Sequence, residues 1–251
     1  MKDKMKYKVL ICTPTSNYKD YCLDEWSKSI RSLTYDADLL ILDNSIDQNH
    51  CKIFERYNFG RPTIVIPVIK DKGESLYNLM CRCNNIARDY VLFNKYDYML
   101  SIESDVLTPI PQAIERLLMH RKETVGFDYF IFDKEQSKPV VSDMVGKSMI
   151  MEINVLKSTE SGMLEHDSEL IPVSNLGLGF VLIKSSVLRD VKFRIHNDQL
   201  LSQNKNKIAH ADTSFWVDCR KIGIIPYCDT AYTCQHRNGN WDNVFSNYNL
   251  K

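Results

Sequence analysis

The 251-residue sequence has no CxxC pair, no net charge, no internal repeat, and no apolar run near the roughly 18 residues that a membrane-crossing helix needs. The missing CxxC argues against zinc, and Cys81 and Cys83, the nearest pair among eight cysteines, point to different faces if they lie on a helix. An even cysteine count permits disulfides in an exported protein. Met1 to Lys8, however, is lysine-rich and leads straight into an apolar strand, with no signal-peptide core. Reduced thiols, a cytoplasmic location and no integral membrane segment are the expectation. Lys plus Arg equal Asp plus Glu at 32 each, so no global field draws nucleic acid or anionic lipid, although a local basic patch fits inside a neutral total.

What is present is a regular alternation. At 44% hydrophobic, the chain can bury a sizeable core in one α/β domain, and no linker divides it. Tyr7 to Thr13 and Asp38 to Asp43 are continuous apolar runs ended by turn residues, as buried parallel strands are. Between them, residues 20–34 carry Leu23, Trp26, Ile30 and Leu33 at helical spacing. Pro62 to Ile69 predicts a third strand and Gly73 to Phe93 a long helix, with Leu76, Leu79, Met80, Cys83, Ala87 and Tyr90 in one stripe. Tyr96 to Ile102 predicts a fourth strand, followed by a short helix from 111 to 120. The pattern implies a mostly parallel, doubly wound sheet. Farther on, strands are expected at Phe127 to Phe132, Met149 to Leu156, Gly179 to Ile183, Ile224 to Tyr227 and Ala231 to Cys234, with a helix from Asp212 to Ile222. Residues 133–148 read as a loop.

Open α/β sheets bind ligands beyond the carboxyl ends of their strands. The residues there are Thr13-Pro14-Thr15, Asp43-Asn44-Ser45 and Glu103-Ser104-Asp105. Glu103 and Asp105, at i and i+2, can share a face and aim oxygens at one hard cation, Mg2+ or Mn2+, which would bridge to diphosphate oxygens. By themselves these letters also suit a strand-to-loop turn with helix-capping acids.

An apolar strand leading to an acidic x-Asp motif after an N-terminal βαβ region resembles family 2 and related glycosyltransferases of the GT-A fold. There the motif is usually Asp-x-Asp, so Glu103 is a departure. The resemblance implies a GT-A α/β fold: a mostly parallel, Rossmann-like nucleotide-binding sheet, helices on both faces and a small antiparallel C-terminal extension. It implies one domain over 1–251, with 1–105 as the nucleotide-sugar half and 106–251 as the acceptor half. It assigns Asp105 to the metal, with Glu103 as a metal, water-mediated or ribose ligand. Thr13, Pro14 and Thr15 correspond to residues that cradle the base, Asp43 to the acid that reads base or ribose, and Ser104 lies inside the motif. Asn175 to Ile183, with Gly177, Gly179 and Phe180, is similar to the Gly-x-Gly-Phe strand on the acceptor side, where glycine admits close backbone approach. The segment from His210 to Trp216 resembles the late-helix motif in which Asp212 serves as general base, with Ala211 replacing the usual acid. His236 matches a histidine that adds a metal ligand, and Arg237 and Gly239 a diphosphate contact.

The implied reaction is metal-dependent transfer of a sugar from a nucleoside-diphosphate sugar, UDP-sugar favoured, to an acceptor hydroxyl with inversion; retention stays open. Acceptors within that reading are a glycan, a lipid-linked sugar or modified DNA. A lysine and asparagine bias, with Lys134, Lys138, Lys147 and Lys205 to Lys207, leaves room for a phage-type enzyme acting on hydroxymethylated pyrimidines in a host cytoplasm. A sugar-nucleotide nucleotidyltransferase is the competing enzyme, disfavoured because Thr13 to Lys19 contains no glycine. An inactive scaffold of the same fold is the third reading, fed by Glu103 and Ala211. Asn84, Asn85 and Arg88 are open between the crevice and the back of their helix.

Overall fold

In the computed structural model of the chain, which describes residues 6–132, 137–139, 141–142, 170–196 and 211–237, Val9–Thr15 forms strand β1 and is buried along its whole length. Its side chains alternate between two cores. Val9 and Ile11 pack with Trp26 and Ile30, while Leu10 and Cys12 pack with Leu79, Ala87 and Phe215. A strand covered on both faces has no polar side to show, which is why the sequence reads there as an unbroken apolar run.

Strands β2 (Asp38–Asp43) and β3 (Thr63–Pro67) extend the parallel sheet on one side of β1, and β4 (Tyr98–Ile102) on the other. Helix α1 (Leu23–Ser32) covers one face and α2 (Leu76–Phe93) the opposite one. Then come β5 (Val106–Leu107), α3 (Ala113–Met119), β6 (Thr124–Phe132), β7 (Ser137–Pro139), β8 (Val141–Ser142), β9 (Leu170–Pro172), β10 (Asn175–Leu176), β11 (Phe180–Lys184), α4 (Ser185–Asp190), α5 (Ala211–Lys221) and β12 (Tyr227–His236). Ten strands form one sheet along the path β3-β2-β1-β4-β11-β6-β12-β5, with β7 on β6 and β9 on β12; β10 pairs with β8 separately. Because β11 is antiparallel to both β4 and β6, strands β6 and β12 run parallel to the first four. The carboxyl ends of β1, β4 and β12 and the start of β11 therefore meet at one edge of the sheet.

Several expectations shift for physical reasons. The long helix begins at Leu76, because Gly73 takes a left-handed φ of 81° and the Ser75 hydroxyl caps the helix by accepting from Asn78 N at 3.1 Å. Leu76 is exposed, and Cys81, Asn84 and Arg88 are buried in its stead. Asn85 exchanges two hydrogen bonds with the backbone of Phe193 (2.7 and 3.0 Å), and Arg88 Nε donates to Leu188 O at 2.6 Å, so both side chains tie α2 to the segment after β11 rather than facing the crevice. The two short strands expected near the end are the single β12, with a register shift between Asp229 and Thr233. Short 3-10 helices at Asn17–Cys22 and Gln48–Arg56, and helix α4, go beyond the sequence expectation. Met149 to Leu156 lies outside the described residues. All eight cysteines are free, and only Cys51 is partly exposed.

Candidate metal and nucleotide site

At the end of β4 the chain turns sharply. Glu103 N donates to Gly179 O on the neighbouring segment (3.1 Å), and Val106 N donates back to Glu103 O (3.1 Å). The turn leads into β5, which pairs antiparallel with the end of β12 so that Val106 stands opposite His236, and Arg237 N donates to Asp105 O at 2.7 Å. Backbone pairing thus carries His236 to the acidic turn. One ligand atom each from Glu103, Asp105 and His236 lies within 4.8 Å of the others.

Asp105 is wholly buried. Its Oδ2 accepts from Lys19 Nζ and from Tyr21 OH (3.3 Å), and His236 Nε2 faces it at 3.2 Å. Its Oδ1 is buried without a hydrogen-bond partner among the described residues. Burial opposes ionisation of Asp105, but the hydrogen bond and charge of His236 and the charge of Lys19 outweigh it and hold the carboxyl at about 2. Glu103, about a third exposed with a side-chain value of 35%, lies 4.0 Å from His236 Nε2; burial and the Asp105 charge push its carboxyl upward. Two carboxylates and an imidazole form a donor set that suits Mn2+ or Mg2+, and the unsatisfied Oδ1 leaves the buried Asp105 carboxylate short of partners among the described residues.

Ser104 points the other way. Its hydroxyl accepts from Thr15 Oγ1 at 2.8 Å and its carbonyl meets Cys22 Sγ at 3.3 Å, so this buried residue stitches the turn to β1. Thr13 and Pro14 are buried within β1, and the Thr13 hydroxyl has no hydrogen-bond partner among the described residues. Asp43, at the end of β2, is buried and engaged: Oδ1 accepts from Ser45 Oγ (2.6 Å) and N (3.1 Å), and Oδ2 meets His50 Nδ1 at 2.9 Å. His50 Nε2 in turn meets Asp20 at 2.9 Å, linking β2 to the 3-10 helix that carries Lys19 and Tyr21. Arg237 Nε pairs with Glu25 on α1 at 2.7 Å. His210 and Gly239 lie outside the described residues.

On the other side of the crevice, Gly177 and Gly179 are buried in the turn between β10 and β11. The group that approaches Gly179 is a tyrosine ring: a Cβ there would sit 2.5 Å from Tyr129, whose hydroxyl accepts from Gly179 N at 3.1 Å. The Phe180 ring packs in the core against Phe127, centroids 5.4 Å apart. Tyr129 also stands edge-on to the His236 ring at 5.2 Å, and its own buried phenol is pushed well above its ordinary range, by burial first and then by the charges of Glu103 and Asp212. Asp212 lies in the first turn of α5, where its Oδ1 accepts from Thr213 N (2.7 Å). Trp216 Nε1 donates to Leu176 O and anchors α5 beside this turn, and the Asp212 charge acts on both Glu103 and Tyr129.

Lys19, Tyr21, His50 and Tyr129 escape sequence reasoning, because each is an ordinary residue until the fold sets it against an acid or glycine far along the chain. Only Lys19 and Tyr21 had a usable signal: they come directly after the first strand, in the loop that borders the crevice.

No protein-family model matches the chain, and no curated protein matches it. Among solved structures, a mannosyltransferase from Pyrobaculum calidifontis in complex with GDP-Man and Mn2+ superposes with a TM-score of 0.56 at 12% identity, covering 94% of this chain and 59% of that one. The S. aureus TarS 1-349 fragment in complex with UDP-GlcNAc superposes with a TM-score of 0.53 at 13% identity, covering 93% and 60%. The fold is GT-A. The chain spans about three fifths of the length of these structures, and at such identity the likeness concerns the GT-A fold alone. Among the described residues no helix is long and apolar enough to cross a membrane.

Proposed function

We propose that this chain is a metal-dependent glycosyltransferase that moves a sugar from a nucleoside-diphosphate sugar to an acceptor hydroxyl. The observation that carries the reading is the convergence of Glu103, Asp105 and His236 at the carboxyl edge of a GT-A sheet, with one Asp105 oxygen buried and unsatisfied. Two neighbours of the same fold hold GDP-Man with Mn2+ and UDP-GlcNAc, which supports a nucleotide-sugar donor and a Mn2+ or Mg2+ ion; UDP-sugar is the donor class we favour.

A divalent cation held by Asp105 and His236, with Glu103, would supply positive charge to the leaving diphosphate. The chain's own residues do the rest. Asp43, set by Ser45 and His50, borders the nucleotide end, and Thr13 to Thr15 form its floor. Asp212 takes the acceptor proton as the acceptor oxygen bonds the anomeric carbon and the bond to the diphosphate oxygen breaks. Its position in the first turn of α5, close enough for its charge to act on Glu103, supports that role. Direct attack inverts the anomeric configuration.

The test is release of nucleoside diphosphate from a panel of nucleotide sugars with Mn2+, comparing wild type with Asp105→Asn. Wild-type release that the substitution abolishes supports the reading, and no release from any donor, with no donor-induced thermal stabilisation, overturns it. Product anomer analysis decides the role of Asp212: retention of the donor configuration removes it as the base.

A further inference from the structure

Lys19 deepens the metal-centre reading, and any role for it there rests on that reading. Asp105 is the most enclosed member of the cluster and its side chain has no exposure, whereas the Lys19 side chain that reaches it is 35% exposed. The lysine comes from the 3-10 helix Asn17–Cys22, between β1 and α1, and its ammonium meets Oδ2 of Asp105. That oxygen also receives Tyr21 OH and faces His236 Nε2. Oδ2 is the Asp105 oxygen that lies 3.2 Å from His236 Nε2, so an ion held by both residues would take the oxygen that the ammonium occupies.

Two cations on one carboxylate oxygen repel, and a buried carboxylate is costly when nothing balances it. Each cation can serve in the absence of the other. Lysine suits such an exchange, because it is a compact point charge on a flexible four-carbon stem that rehydrates readily, whereas arginine would clamp a carboxylate with a rigid fork. We infer that Lys19 is a built-in competitor for the divalent cation: it neutralises Asp105 when the ion is absent, leaves Oδ2 when the ion enters, and so sets the metal affinity of the site.

The direct test is binding of Mn2+ alone, without nucleotide, read as loss of the free Mn2+ resonance in electron paramagnetic resonance. It compares wild type, Lys19→Met, Lys19→Arg and Asp105→Asn. Lys19→Met keeps the stem and removes the charge; it should bind Mn2+ about tenfold more tightly, as expected if the lysine-free state of the wild type is on the order of one tenth populated. Its melting temperature should be lower than wild type without metal and rise further when Mn2+ is added. Lys19→Arg should bind more weakly than wild type, and it carries the test by itself if Lys19→Met does not fold. Equal or weaker binding by Lys19→Met, or tighter binding by Lys19→Arg, overturns the competition and leaves the metal centre standing. Absence of Mn2+ binding by every protein overturns the metal centre and the competition with it.

Discussion

His236 Nε2 stands 3.2 Å from Asp105 Oδ2 although 131 positions separate the two residues, and the pairing of β5 with the end of β12 brings them together. Asp105→Asn should therefore remove Mn2+-dependent release of nucleoside diphosphate by on the order of a hundredfold or more, since metal stabilisation of a leaving group amounts to several kcal/mol. His236→Ala should weaken Mn2+ binding while leaving the sheet intact. Calorimetric titration with Mn2+ and a far-ultraviolet dichroism spectrum check both halves; unaltered Mn2+ affinity in both variants would falsify the site.

Two glycines flank β11 for different reasons. A Cβ on Gly126 would lie 2.4 Å from Phe180 O, a backbone atom in the paired strand, whereas one on Gly179 would lie 2.5 Å from the Tyr129 ring. Gly126→Ala should destabilise more than Gly179→Ala, and the latter should cost about 1–3 kcal/mol. Only the Gly179→Ala penalty should shrink in a Tyr129→Leu background, because the close contacts there are all with the Tyr129 side chain, whereas at Gly126 the nearest is backbone. Urea unfolding of the single and double variants measures this, and an undiminished penalty in the double variant rules out the ring as the cause.

The same contrast explains what the sequence could reveal. Leu10, Ile11 and Cys12, with Leu39, Leu40, Ile41 and Leu42, announce a buried parallel strand pair, because burial on both faces demands apolar residues at every position. Asp105 and Asp212 were legible as acids at element ends. His50 and Tyr129 were not, because their roles rest on contacts with Asp43 and Gly179 that no periodicity encodes. Gly179 was legible as a close approach, but the approaching group proved to be Tyr129 from this chain.

His50 bridges Asp43 and Asp20; burial works against its charged form, but the hydrogen bonds it makes to both carboxylates, with their charges, outweigh that and raise the imidazole above its ordinary value. A raised histidine contributes stability that is fully present below its ordinary value of about 6.5 and fades as pH rises through the raised one. His50→Gln should cost about 1 kcal/mol at pH 6 and less at pH 9. Chemical denaturation at the two pH values decides it, and a gap that widens with pH contradicts the bridge.

Asp128 gives the opposite chemistry the same pH direction. It lies buried in β6 with Oδ1 unpartnered among the described residues, and burial pushes its carboxyl up to about 7, opposed in part by a hydrogen bond from the Thr233 side chain. Unfolded, the same group ionises near 4. The folded state therefore binds more protons between these values, and stability falls as pH rises through that window, by about 2–3 kcal/mol between pH 5 and 8. Asp105 and Asp218, both held at about 2, finish titrating below the window and add no slope there. His50 adds slope of the same sign, so the wild-type curve alone cannot isolate Asp128. The difference between wild type and Asp128→Asn can, because the amide carries no charge at any pH and His50 is common to both. Asp128→Asn should gain on wild type steadily from pH 5 to 8 in urea unfolding, and parallel curves for the two proteins would show that Asp128 titrates below the whole range.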